Sequence, residues 1–272
     1  MNRYLDPYIG MLRITLKDNL YYKTDFILGM LFSVGYAVLM IFVWSVLFAS
    51  SGKSQIGGFT LEGIYAYFFL FTAYFGMSQS NISNMMQNNI LQGTITLSMT
   101  RPVNYVAQLL LASLGRWVVF TAIFSLPIIL IAVIIAHVPV SLYGIALSMV
   151  SIALGFAVYG LISFLIGTVA IFITYIYGIR YVSSMLIYLA AGGVLPISMF
   201  PQYISNVMYA LPFQTMGYLP VSILLGTATL PLTLFHQKNA NMASAIAHMI
   251  PIAKPFIIAL GVAVPRSMDT GR

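Results

Sequence analysis

Polar positions are so sparse along this chain that they act as punctuation between apolar blocks. Blocks at 27–49, 61–77, 117–136, 142–164 and 179–199, with a weaker one at 240–264, lie in a chain of 272 residues. A helix needs roughly 20 apolar residues to cross a bilayer, so the pattern predicts an all-α integral membrane protein with about six transmembrane helices. Ahead of the first block, Ile9, Leu12, Leu16 and Leu20 recur at helical spacing, while Arg13, Lys17 and Asp18 lie mostly off that stripe. This predicts an amphipathic helix over 3–24 lying in the interface.

The third block has a helical lead from Val106 and Arg116 at its inner end, where the side chain can snorkel. From Ser141 to Ile179 no charged residue occurs. That stretch is longer than one span, so the fourth span continues into a loosely apolar piece. The fifth is interrupted by Gly192-Gly193 and Pro196. Between 200 and 230, Pro201, Pro212 and Pro220 alternate with short apolar pieces and no charge. This predicts a re-entrant or interfacial hairpin on the outer face, with protein covering its backbone. Aromatic residues crowd the second block (Tyr65, Tyr67, Phe68, Phe69, Phe71, Tyr74, Phe75), a stripe that suits packing better than a substrate box. Trp44, late in the first block, suits an interfacial ring.

The longest polar interruption in the first two thirds of the chain is Met85 to Tyr105. It opens with Gln87, Asn88, Asn89 and Gln92, breaks at Gly93, passes Leu97 and closes with Arg101-Pro102. Pro102 biases Arg101 away from helix, which marks a boundary. Two readings stand: the stretch, or a short helix within it, docks a partner, or it is an ordinary solvated loop.

Only 6% of residues are charged, against roughly 25% in soluble domains. The net charge of +7 does not point to nucleic acid, because the basic residues sit where orientation signals sit. Arg3, Arg13, Lys17, Lys23, Arg101, Arg180, Arg266 and Arg272 fall on inner segments, and Lys53 and Lys238 on outer ones. This places both termini in the cytoplasm. With no cysteine there are no disulfides or thiolate metal sites, and the three histidines (His137, His236, His248) have no ligand spacing. Gly52-Lys53-Ser54 ends like a phosphate-binding loop, but Leu47 stands where that motif needs glycine.

The spans offer no carboxylate beyond Glu62, so an intramembrane enzyme ranks lowest. The pattern predicts a single transmembrane domain over 1–272, without catalytic residues or a cofactor of its own, and if ATP drives the protein, another polypeptide hydrolyses it. The alternative is a stand-alone secondary transporter or channel. Such proteins usually carry ionisable groups at mid-membrane, and only His248 and Lys254 qualify.

Four stretches carry a resemblance. They are LRITLKDNLYYKTDFILGMLF before and into the first span, followed by Trp44; ILQGTITLSMTRPVNY, with Gly93, Leu97, Arg101 and Pro102; GGVLPISMFP at 192–201; and LPFQTMGYLPVSILLG at 211–226. In this order, over roughly 10–226, the chain resembles the bacterial six-span membrane subunits of export-type (type-2 class) ATP-binding cassette transporters. The resemblance implies a pair of permeases, identical or sister subunits, in the bacterial inner membrane, each bound to a cytosolic ATP-binding subunit. It implies that Gln87, Asn88, Asn89, Gln92, Gly93, Leu97, Arg101 and Pro102 couple to that subunit. Substrates of that class are drugs, lipids, glycans or peptides, usually exported; the apolar, aromatic-rich interior suits an amphipathic or lipid-like one, and membrane lipids rather than nucleic acid are the expected surroundings. The family loop carries charged residues before its glycine. Here they are amides, which leaves Arg101 as the one docking charge. Beyond Leu230 the match fades.

Overall fold

Two hydroxyls start the helices around which the bundle packs. Thr60 Oγ1 accepts the Gly63 N–H at 3.2 Å, and Ser141 Oγ accepts the Gly144 N–H at 2.9 Å. Each satisfies one of the donors that a helix leaves open at its start. The structure, a computed structural model, describes residues 23–95, 105–135 and 141–227. The helices are α1 (Lys23–Ser51), α2 (Leu61–Ser78), α3 (Ile82–Leu91), α4 (Tyr105–Phe120), α5 (Leu126–Ile135), α6 (Leu142–Val169), α7 (Tyr177–Ala190), α8 (Gln202–Ala210) and α9 (Tyr218–Leu224). A π-helical turn at Thr121–Ser125 joins α4 to α5, and short 3-10 turns occupy Ile197–Met199 and Pro212–Met216. The described residues form no strand beyond one bridge, Ile56 to Phe59, closed through Gly57 and Gly58 at φ +60° and +83°. Two successive positive φ values make the tight hairpin turn that glycine allows. Among the described residues, Ile27–Ser51, Gln108–Val133 and Leu142–Val169 are long and apolar enough to cross a membrane.

The middle of the bundle is α2. Ile64, Leu70, Phe71, Ala73 and Met77 have no exposed surface, with α1, α5, α6 and α9 packed around them. The aromatic stripe is therefore packing. Phe71 stacks on Phe75 with ring centroids 5.5 Å apart, and Tyr188 meets both rings edge-on. In lipid, apolar burial supplies little association energy, since acyl chains are as apolar as leucine. Specificity then comes from close packing and interhelical hydrogen bonds, each of about 1 kcal/mol. The serines supply those bonds. Ser78 Oγ donates to the Met216 carbonyl at 3.0 Å, Ser125 Oγ to the Ala73 carbonyl at 3.0 Å, and Tyr74 Oη to Ser148 Oγ at 3.1 Å.

Two glycine pairs fix the seat of α6. Gly144 and Gly155 are eleven residues apart, about three turns, and Gly160 and Gly167 are seven apart, about two turns, so each pair shares a face. The first pair meets the 212–224 segment: a Cβ on Gly155 would stand 2.9 Å from the Thr215 carbonyl oxygen and 3.1 Å from Met216 Cα. The second pair meets α3: a Cβ on Gly167 would stand 3.2 Å from Ser83 Cα and 2.6 Å from Met86 Sδ.

Several expectations need adjustment. The fifth apolar block, expected as a helix over 179–199, is helical only over Tyr177–Ala190, about 21 Å. Gly192 at φ +93° turns the chain out, and Pro196 keeps it irregular. The helical lead to the third span is present from Tyr105, and a π turn that the pattern did not predict joins it to α5. The fourth runs on to Val169, not 164. Trp44 does not sit at a lipid-facing ring. It is buried, its ring 6.4 Å from those of Phe48 and Phe68, because its face of α1 turns toward α2. The amphipathic helix at 3–24 falls outside the described residues except for the start of α1. The expected sixth span at 240–264, with His248 and Lys254, lies wholly outside them, as do His137 and His236.

The segment 191–224 folds back into the bundle. From Ala190 the chain leaves toward α8, returns at Pro212–Met216 beside Gly155, and leaves again as α9, whose Ile223 carbonyl lies near Gly144. Its backbone is covered by protein. Tyr67 Oη donates to the Gly192 carbonyl at 2.9 Å, the Tyr218 N–H to the Ala191 carbonyl at 3.0 Å, and Ser151 Oγ to the Thr215 carbonyl at 3.3 Å. Such cover is what irregular backbone requires at membrane depth. Tyr67→Phe keeps the ring and removes one of these donors, so it is expected to cost about 1 kcal/mol. Thermal unfolding in detergent should show a drop of a few degrees. An unchanged midpoint would mean the Gly192 carbonyl has another donor.

Candidate functional site

Three residues after α2, the chain re-enters helix as α3, which covers the first part of the Met85–Tyr105 stretch. Asn81 precedes it, its Oδ1 accepting from Asn84 Nδ2 at 2.7 Å. One face of α3 is buried: Ile82, Ser83 and Met86 lie against α6, in a small cluster with Tyr105, Leu109 and Phe164. The Ser83 N–H donates to Ser163 Oγ at 3.0 Å. With Gly167 giving the close approach, α3 is fixed to the end of α6 through the Met86 side chain and the Ser83 backbone, and Ile82 packs by Gly160.

The amides of the stretch divide between two tasks. Gln87 Oε1 accepts the Ile176 N–H at 3.3 Å, which ties α3 to the turn between α6 and α7. Asn89 Nδ2 donates to Tyr105 Oη at 3.1 Å, holding the start of α4. Burial pushes the Tyr105 phenol above its ordinary range, and the bond from Asn89 pulls it partly back, so it stays neutral. Asn88, Gln92 and Gly93 are exposed at the far end of α3. There Gly93, at φ +67°, ends the helix, and its N–H donates to the Ile90 carbonyl at 3.1 Å. Leu97, Arg101 and Pro102 lie outside the described residues. The structure thus brings Asn88, Gln92 and Gly93 to one outward surface and turns Gln87 and Asn89 inward.

Two contributions to that surface were not read from the sequence. Leu91, at 41% exposure, stands among the amides. The turn tied down by Gln87 presents Phe172 and Tyr175, both more than 70% exposed. The available signal was helical spacing: Leu91 follows Asn88 by three residues, one turn on. The described part of this surface is neutral, with apolar side chains among amides, which suits a packed protein contact more than attraction by charge.

A family model described as ABC-2 family transporter protein matches residues 34–253. It begins inside α1, later than the resemblance over roughly 10–226 suggested, and runs well past Leu230. No curated protein matches the chain. With its all-helical architecture, its apolar spanning helices and a family match over most of its length, the chain belongs to the ABC-2 family of transporter proteins, as a membrane-spanning permease subunit.

Proposed function

We propose that the chain forms, with a second permease, the membrane path by which an ATP-binding cassette transporter exports an amphipathic or lipid-like substrate. ATP is bound and hydrolysed on a separate cytosolic subunit that docks on α3. The observation that carries this reading is the construction of α3. It is a short helix at one end of the bundle, rigidly seated on α6 by glycine contacts and amide bonds, with Asn88, Leu91 and Gln92 turned outward. Such a helix delivers force to the bundle instead of absorbing it. In this reading Leu97, Arg101 and Pro102, which follow Gly93 in the sequence, take part in the same docking. The positive charges of Arg180, at the start of α7, and Arg116, in α4, support a cytoplasmic assignment of this end. In this reading both termini face the cytoplasm of a bacterial plasma membrane.

The test is mild-detergent purification of the tagged permease from its host, with identification of stoichiometric partners by mass. A co-purifying ATP-binding subunit, at one per permease, is the expected result, and Arg101→Glu should weaken it severalfold. A well-folded permease that emerges alone at every detergent strength would overturn the reading.

A further inference from the structure

Where α2 ends, a cavity of about 180 Å³ opens between α1, α4 and the link to α3. Its lining includes Ser33, Gln79, Ser80, Asn81, Arg116 and Trp117. Ser80 Oγ and Trp117 Nε1 are buried there without a hydrogen-bond partner. Arg116 has no carboxylate beside it among the described side chains. Glu62 is the only acid whose side chain is described, and it lies at the opposite end of α2, about 25 Å away along the helix.

A guanidinium and an indole N–H can only donate hydrogen bonds. A partly enclosed chamber that holds a buried, unpaired indole N–H and is bordered by an exposed guanidinium is chemically matched to an anion. A cation within a spanning helix is costly unless something pairs with it or water reaches it. Basic pockets between helices on the cytoplasmic side are known lipid-headgroup sites.

A second cavity, about 390 Å³, adjoins the first and shares Ser33, Gly76 and Gln79 with it. Its walls are aromatic and apolar: Phe32, Tyr36, Phe75, Met185 and Tyr188. The two chambers together make one groove, polar and donating at the α3 end and apolar beyond, with Gly76 at the join.

We infer that this groove is a binding site for an anionic amphiphile, its phosphate or carboxylate headgroup held by Arg116, Trp117 Nε1 and Ser80, and its chain lying against Phe32, Tyr36 and Phe75. That the occupant is cargo rests on the permease reading above. The binding itself does not. Asn81 lines the headgroup chamber and immediately precedes α3, so occupancy and the docking helix share a residue.

The experiment titrates phosphatidylglycerol and phosphatidylcholine into the purified full-length permease in detergent and counts bound lipid by native mass spectrometry. Wild type is expected to prefer phosphatidylglycerol. Arg116→Gln should lose about tenfold in that lipid's affinity, the usual scale for removing a charged hydrogen-bond partner, with phosphatidylcholine unaffected. Arg116→Lys should keep most of the preference, and Trp117→Phe should weaken it severalfold with the ring retained. Equal unfolding midpoints establish that the variants are folded. Undiminished phosphatidylglycerol binding in Arg116→Gln, or no headgroup preference in wild type, would overturn the site. Asp25 lies one helical turn before Gly29 on α1. If Arg116 serves only to pair with it, Asp25→Asn will destabilise the permease as much as Arg116→Gln while lipid binding is unchanged in both, which also overturns the site.

Because the titration uses the permease alone, its failure leaves the ATP-driven reading standing, and a missing ATPase leaves the titration standing. In the complex, phosphatidylglycerol that raises ATP turnover in wild type but not in Arg116→Gln identifies cargo. Binding without change in turnover identifies a resident lipid at the same site.

Discussion

Gly155→Leu will leave α6 helical but will unseat the 191–224 segment, lowering the unfolding midpoint by about 10 °C and abolishing transport. The Cβ alone would stand 2.9 Å from one backbone atom and 3.1 Å from two others of Thr215 and Met216. Backbone cannot rotate out of the way as a flexible side chain can, so the two elements must part. Overpacking of this kind costs about 1–3 kcal/mol by itself. The larger loss follows, because parting breaks the Ser151 and Ser78 bonds to the Thr215 and Met216 carbonyls. Each carbonyl left unpaired away from water costs several kcal/mol more. Gly178→Leu is the control: nothing stands within 4 Å of its Cβ position, and it should melt with wild type. Thermal unfolding and protease sensitivity of the 191–224 segment read the difference. A Gly155→Leu protein with a wild-type midpoint would mean that the close approach does not exist in the membrane.

The second large effect belongs to the outward face of α3. The double variant Asn88→Glu, Leu91→Glu should lose productive contact with the ATP-binding subunit while keeping the permease folded. Neither side chain belongs to the buried face formed by Ile82, Ser83 and Met86, so stability should change little. An apolar contact residue turned into a charge commonly costs about 2 kcal/mol or more at an interface, roughly thirtyfold in affinity. Binding measured with purified subunits should fall by that factor, and substrate-stimulated ATP turnover with it. Unchanged affinity in a folded double variant would move the docking contact away from α3.

Much of the architecture was legible because lipid makes apolar length the dominant signal. The spans and the proline-broken 200–230 segment could be read from runs and interruptions. What could not be read was facing. In a soluble helix the polar side marks the outside, but α6 is apolar or small nearly all round, and its buried face is written in glycine spacing, eleven and seven residues, which is easily passed over. Trp44 misled for the same reason: an aromatic near a span end looks the same facing lipid or facing α2. The amides of the Met85–Tyr105 stretch were located as a group, yet Gln87 and Asn89 turn inward because the Ile176 N–H and the Tyr105 hydroxyl need partners there. Those partners lie 89 and 16 residues away in sequence, beyond any local pattern. Arg116 is exposed, in keeping with a snorkelling cation, but nothing in its own neighbourhood of sequence reveals that it shares a cavity with Ser80.

The two glycine pairs of α6 give it a mechanical character. Gly144 and Gly155 face one way, and Gly160 and Gly167 face about 130° around the axis. One helix of 28 residues is therefore gripped near its opposite ends by different neighbours on different sides, over a span of about 35 Å from Gly144 to Gly167. Glycine leaves backbone against backbone at Gly155 and lets Met86 and the Ser83 backbone close on Gly167, so there is little slack to take up a displacement. In the proposed reading, a sideways push delivered through α3 tilts the whole rod about its middle, where Gly155 meets Thr215 and Met216, and the far end moves the opposite way against α9. In that reading a partner that pushes at one end of the bundle also works the other end, as a hand on the short end of a crank does not need to reach the load.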